Sequence, residues 1–128
     1  MEHVPSPTKT ISSLARILSN NGILIIALPN IQSIDSQIFR NEWAGLDVPR
    51  HIWHFTPNGL IDLLDKQGFI LSKRCPLILD AYYISLLSAK RKKLFFPWGI
   101  SILVGTISNL IAIYTKNYSS SVFVFVKG

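Results

Sequence analysis

Apolar side chains return at two different periods along this chain, and the alternation between them outlines its elements. From about Thr8, the residues Ile11, Leu14, Ala15, Ile17 and Leu18 recur at helical spacing. Ser6-Pro7 precedes them, a good cap followed by a residue suited to a first turn. Asn20-Asn21-Gly22 closes that helix with residues that tolerate positive φ. Residues 23–28, ILIIAL, then form an unbroken apolar run, the pattern of a strand buried on both faces of a parallel sheet. Pro29-Asn30 ends it. Helix, glycine turn and buried strand together make half of an α/β unit.

Residues 31–55 read as loop, with a short helix near Ser33 to Phe39. Thr56-Pro57 opens a second amphipathic helix carrying Leu60, Ile61, Leu63 and Leu64 on one side, and Lys66-Gln67-Gly68 closes it. Phe69-Ile70-Leu71 begins another strand. A further helix is expected over residues 81–92. Residues 95–114 carry no charge, and residues 121–126, SVFVFV, read as a β-branched and aromatic strand.

Composition narrows the class. The 128 residues suffice for one domain with a core, and a hydrophobic share of 48% excludes a disordered tail. The net charge of +6 is concentrated in the run Lys90-Arg91-Lys92-Lys93, a local patch and not a basic surface all round. No recognition helix or aromatic-interleaved basic surface accompanies that patch, so no nucleic-acid partner is expected. The single cysteine, Cys75, excludes an internal disulfide and a tetrathiolate metal site, fits a reducing cytoplasm, and lacks an evident activating base. Met1 to Pro5 offers neither the basic nor the apolar region of a secretory leader.

Five pieces occur in order. They are Glu2-His3-Val4 followed by Pro7; a helix ending Ile17-Leu18-Ser19-Asn20-Asn21-Gly22; a strand ending Leu28-Pro29-Asn30; Trp43 followed by Leu46-Asp47-x-Pro49-Arg50-His51-x-x-His54-Phe55-Thr56; and a helix ending Gln67-Gly68-Phe69. This set resembles the C-terminal half of a class I S-adenosylmethionine-dependent methyltransferase, the nearest group being the ubiquinone-type O-methyltransferases. The resemblance implies part of a Rossmann-like α/β sheet, in which the last strand runs antiparallel between the fifth and sixth. Residues 23–28 resemble the fifth strand, 69–79 the sixth, 121–126 the seventh, and 1–4 the tail of the fourth. It also implies S-adenosylmethionine as cofactor, held in that family by a glycine-rich turn in the N-terminal half. No G-x-G-x-x-G run is present; the seven glycines are scattered. The chain is therefore expected to be a half-domain, residues 1–128, with an apolar helical insertion at 95–116. It is expected to depend on a missing half or on self-association, and no cofactor-binding residue is assigned.

The stretch LDVPRHIWHF, residues 46–55, leaves three readings open. A divalent metal needs three or four ligands, and His51 and His54 with Glu2 and His3 could supply them, although no metal is assigned. A packed turn would pair Arg50 with Asp47 and set the histidines on backbone groups. An active-site loop would lie beyond the fifth strand against a small-molecule acceptor. The loop reading makes His3 and His51 the candidate catalytic bases for an acceptor hydroxyl. Arg50 becomes an anion clamp, and Glu2, Asn30, Trp43 and His54 join it as substrate-side residues. Phe55 is expected to be core.

Residues 95–114 also match the length of a bilayer core, and the basic run beside them suits a cytoplasmic flank. Spanning would strand residues 121–126 away from their sheet, leaving an interfacial helix or one packed on the body or a partner. The functional expectation is methyl transfer to a small molecule by a cytoplasmic protein, inactive as this isolated piece. The alternative is a non-enzymatic half-domain that binds a membrane surface or a partner protein.

Overall fold

A computed structural model describes residues 1–128. Helix α1 spans Pro7–Ile17, with the Ser6 hydroxyl accepting from the Lys9 amide, and Asn21 at φ 63° turns the chain into β1, Ile23–Pro29. A short helix α2, Ile34–Phe39, is capped by Ser33, and two 3₁₀ turns follow at Arg40–Glu42 and Ala44–Leu46. Helix α3, Pro57–Asp65, begins where the Thr56 hydroxyl accepts from the Gly59 amide at 3.1 Å. Gly68, at φ 81°, makes the left-handed turn into β2, Phe69–Pro76. Two long helices, α4 (Ile78–Arg91) and α5 (Pro97–Thr115), form a hairpin before the final strand β3, Ser120–Lys127.

The three strands form one sheet in the order β1-β3-β2, with β3 antiparallel to both neighbours. Ile23 lies opposite Val126 and Leu28 opposite Ser121. This is the expected placing of the last strand between the two that precede it. Opposed residues of antiparallel strands share a face. Leu24, Ile26, Leu28, Phe123 and Phe125 therefore point one way, where α1 and α3 cover them. Ile11, Leu60, Leu64 and Phe69 complete that core.

The other face corrects the reading of residues 23–28 as buried on both sides. Ile23 and Ile25 are 60% and 64% exposed, and Ile70 on β2 is likewise open. An unbroken apolar run specifies two faces that want cover, and α1 and α3 supply it on one only. The edge of β1 away from β3 is also unpaired. Residues 1–4, expected as a strand tail, form no strand; the Glu2 carbonyl instead accepts from the Ile52 and Trp53 amides. Ile17 points to solvent, although its spacing placed it with the core. The second strand stops at Pro76, before the expected 79, and α4 starts three residues earlier than expected. There the Leu77 amide donates to the Ser120 carbonyl and turns the chain into the helix.

Helix α5 occupies the expected apolar insertion and is long and apolar enough to cross a membrane. Both of its flanks return to the body. Helix α4 leaves from β2 and β3 lies inside the sheet, so the hairpin projects without carrying the last strand elsewhere.

Candidate functional site at the carboxyl end of β1

Beyond Pro29 lies a cleft of about 340 Å³, bordered by the 44–51 loop, the first residue of β3 and one face of α4. Asp47, Arg50, His51, Asp80, Tyr83 and Arg91 bring polar groups to it, and Ile84 and Leu87 an apolar wall. In open α/β sheets ligands bind in this position, outside the carboxyl ends of the strands.

Asp47 organises the charges. It adopts a left-handed conformation at φ 41° and pairs with Arg50 at 2.9 Å and Arg91 at 3.5 Å. Partial burial pushes its carboxyl upward. The Arg50 hydrogen bond and the charges of Arg50, His51 and Arg91 outweigh this and hold it below the ordinary carboxylate range. His51 brings Nε2 to 3.9 Å from the Asp47 carboxylate while its Nδ1 sits 3.0 Å from the Gly45 carbonyl. A carbonyl only accepts, so Nδ1 carries a proton, and Nε2 is the ring nitrogen free to gain or lose one.

The other two histidines behave in the same way. His3 Nδ1 donates to the Arg50 carbonyl at 2.9 Å, and His54 Nε2 donates to the Leu46 carbonyl at 2.9 Å. The His3 ring stands edge-on to His51, with centroids 4.8 Å apart. Each imidazole thus ties down one stretch of the loop, and the Arg50–Asp47 pair of the packed-turn reading is present as well. No group of three or more His, Cys, Asp or Glu side chains converges as a metal cage would require.

Of the sequence candidates, His51 and Arg50 border the cleft, and His3 stands directly behind His51. The rest lie elsewhere. His54 faces the Leu46 carbonyl on the far side of the loop. The Glu2 carboxylate binds the terminal ammonium of Met1 at 3.0 Å. Asn30 is buried, with its amide donating to the Tyr118 carbonyl and its oxygen accepting from the Gln32 amide, so it joins the end of β1 to the start of β3. Trp43 is buried beneath the loop, its indole N–H donating to Asp35 at 2.8 Å.

Two features were not assigned from the sequence, although Asp80 and Tyr83 open a helix where the resemblance places substrate-side residues. Asp80, Tyr83, Leu87 and Arg91 line the cleft from one face of α4; their three- and four-residue spacing is the signal that could have found them. Asp35 is fully buried and accepts from Trp43, from Ser108 at 2.7 Å and from Ser119 at 2.7 Å. It ties α2, α5 and the entry to β3 together, and nothing in its local sequence marks it.

Comparison with known proteins adds two findings. Residues 1–72 match a family described as a methyltransferase domain. Among solved structures, the chain is similar in fold to a candidate sarcosine dimethylglycine methyltransferase from Galdieria sulphuraria, with a TM-score of 0.55 at 16% identity. The match covers 98% of this chain and 49% of that one, so the chain spans about half the length of the solved relative. No curated protein matches it.

Proposed function

The chain belongs to the methyltransferase-domain family, and from that premise we propose that its cleft binds and deprotonates the acceptor in S-adenosylmethionine-dependent methyl transfer to a small molecule. The observation that supports this reading is the convergence of His51, Arg50, Arg91 and Asp47 beyond the carboxyl end of β1.

Methyl transfer is an in-line displacement at a sulfonium carbon, so the protein has chiefly to position the acceptor and keep water away. An acceptor hydroxyl held against His51 loses its proton to Nε2. The Gly45 carbonyl fixes the imidazole, and Asp47 stabilises the imidazolium that forms. Arg50 and Arg91 border the same space and suit an acceptor that also bears a carboxylate or phosphate. Leu87 and Ile84 favour an apolar body on it.

The residues present do not fit the cofactor itself. No glycine turn stands at the carboxyl end of a strand where the backbone could approach a methionine moiety, and Asn30 at the end of β1 has its side chain engaged within the chain. We therefore assign this chain the acceptor side, with the cofactor cradle supplied by further α/β structure. The unpaired edge of β1 and the bare sheet face give such structure somewhere to pack.

Titrating the 128-residue chain with S-adenosylhomocysteine tests that division. No saturable heat is expected, and tight binding would overturn it. The acceptor role is tested by fusing the chain behind the glycine-rich half of a methyltransferase-domain relative and following transfer from labelled S-adenosylmethionine. Here His51→Gln is expected to lower kcat by roughly 10²–10⁴-fold at neutral pH. An unchanged rate would remove His51 from the reaction.

A further inference from the structure

We infer that the α4–α5 hairpin docks on the surface of an anionic lipid bilayer, with the outer face of α5 in the interface and the basic tip on the headgroups. The inference is independent of whether the cleft is catalytic.

Helix α5 is arranged the wrong way round for water. Its inward face is made of small residues, Val104 and Ala112 among them, and carries the helix's buried polar groups: Ser101 donates to the Tyr82 carbonyl at 2.6 Å, and Ser108 donates to Asp35. Between them sits Gly105, where a Cβ would meet the Tyr82 ring at 2.6 Å, so the ring of α4 lies directly on the backbone of α5. Its outward face is apolar. Ile102, Leu103, Leu110, Ile113 and Tyr114 are exposed, and no charge interrupts residues 95–115. A helix in water hides its apolar residues and shows its polar ones. The reverse, small and polar groups between helices with aliphatic groups outside, is how helices pack where the surroundings are lipid. An exposed apolar face of this extent marks an interaction surface.

The tip identifies the partner. Lys90, Arg91, Lys92 and Lys93 are all exposed and lead directly into Phe95, 98% exposed, and Trp98, 62% exposed. The Lys90 ammonium lies 5.3 Å from the Trp98 ring centroid. Lys93 and Phe96 have left-handed φ of 54° and 139°, a strained turn that holds the aromatic side chains outward. Aromatic rings suit the headgroup level, and a cluster of cations beside them suits anionic headgroups. A second copy of this chain would bring the same cations against one another. Spanning is incompatible with β3 lying in the sheet, which leaves docking in the interface plane.

The test is co-sedimentation of the full chain with vesicles of phosphatidylcholine alone or mixed with phosphatidylglycerol, alongside tryptophan emission. Binding is expected to the mixed vesicles, weakened by salt, with a blue shift that Trp98→Phe abolishes. Reversing Lys90, Lys92 and Lys93 to Glu should weaken binding by roughly a hundredfold or more. Phe95→Ser with Trp98→Ser should weaken it as well, and circular dichroism should be unchanged in both variants. Absence of binding at low salt, or equal binding to neutral and anionic vesicles, would overturn the inference. So would disulfide cross-linking of two copies through Leu103→Cys, in a Cys75→Ser background, that persists when mixed vesicles are added.

Discussion

The helices α1 and α3 and the hairpin of α4 and α5 solve different packing problems. Under α1 and α3, aliphatic and aromatic side chains meet the sheet, and polar residues face outward. In the hairpin, serines, a glycine and the Asp35 carboxylate lie inside beside a small apolar cluster of Phe39, Trp43, Ala89 and Val104, while many isoleucines, leucines and aromatics lie outside. The first arrangement is driven by removing apolar surface from water, at about 25 cal/mol per Å². The second draws on it less, through a smaller apolar cluster. Directed hydrogen bonds to Asp35 and to the Tyr82 carbonyl add to that cluster, and apolar side chains on the outer face of α5 stay exposed. One polypeptide therefore contains one region packed mainly by apolar burial and one in which polar contacts share that work.

Breaking the first region should have the largest effect. Phe125 is fully buried between the strands and the helix layer, and Phe125→Ala should lower stability by about 3–5 kcal/mol in urea denaturation. A loss under 1 kcal/mol would mean that α1 and α3 do not carry the fold.

The second region should break through a polar residue. Asp35→Ala leaves the Trp43 indole and two serine hydroxyls without their acceptor, at about 3 kcal/mol. Hydrogen exchange should show α5 loosened before the sheet. Asp35→Asn keeps the shape and some of the acceptor capacity and should cost less. If both variants match wild type, the polar interior of the hairpin is not what holds it.

The outer face sharpens the contrast further. Leu103→Ser removes an exposed apolar side chain and should change stability by no more than about 0.5 kcal/mol. Solubility should rise. The equivalent change in the first region, Leu64→Ser, should unfold the chain or nearly so, because Leu64 is wholly buried.

A small effect, comparable to that of Leu103→Ser and visible only as a pH dependence, is expected at the cleft. Asp47 is held below the ordinary carboxylate range, so it binds protons more weakly folded than unfolded. Its contribution is present above about pH 4 and is lost as the pH falls through its lowered value. Solvent screening keeps that contribution under about 1 kcal/mol. Asp47→Asn should flatten this part of the acid-stability curve, and an unaltered curve would show that the pairing with Arg50 and Arg91 adds nothing.

Local chemistry made much of this legible. Ser6, Ser33 and Thr56 cap the helices they precede, Asn21 and Gly68 take the left-handed turns, and β1, β2 and β3 start where the apolar runs start. Those features depend on neighbours in sequence, whose backbone preferences act wherever the chain goes. The motif holding Arg50 and His51 was visible for the same reason: its residues are contiguous, and their loop folds back on itself.

What depended on distant residues was not legible. The burial of Ile23 and Ile25 hinges on whether a second layer of helices lies over them, which an apolar run cannot report. The roles of Asp35 and Arg91 arise from partners 73 and 44 positions away, Ser108 and Asp47. The sequence by itself determined which segments are helix and strand, because hydrogen bonding and periodicity are local. Tertiary structure alone decided which face each segment hides, because burial is a property of two surfaces that meet.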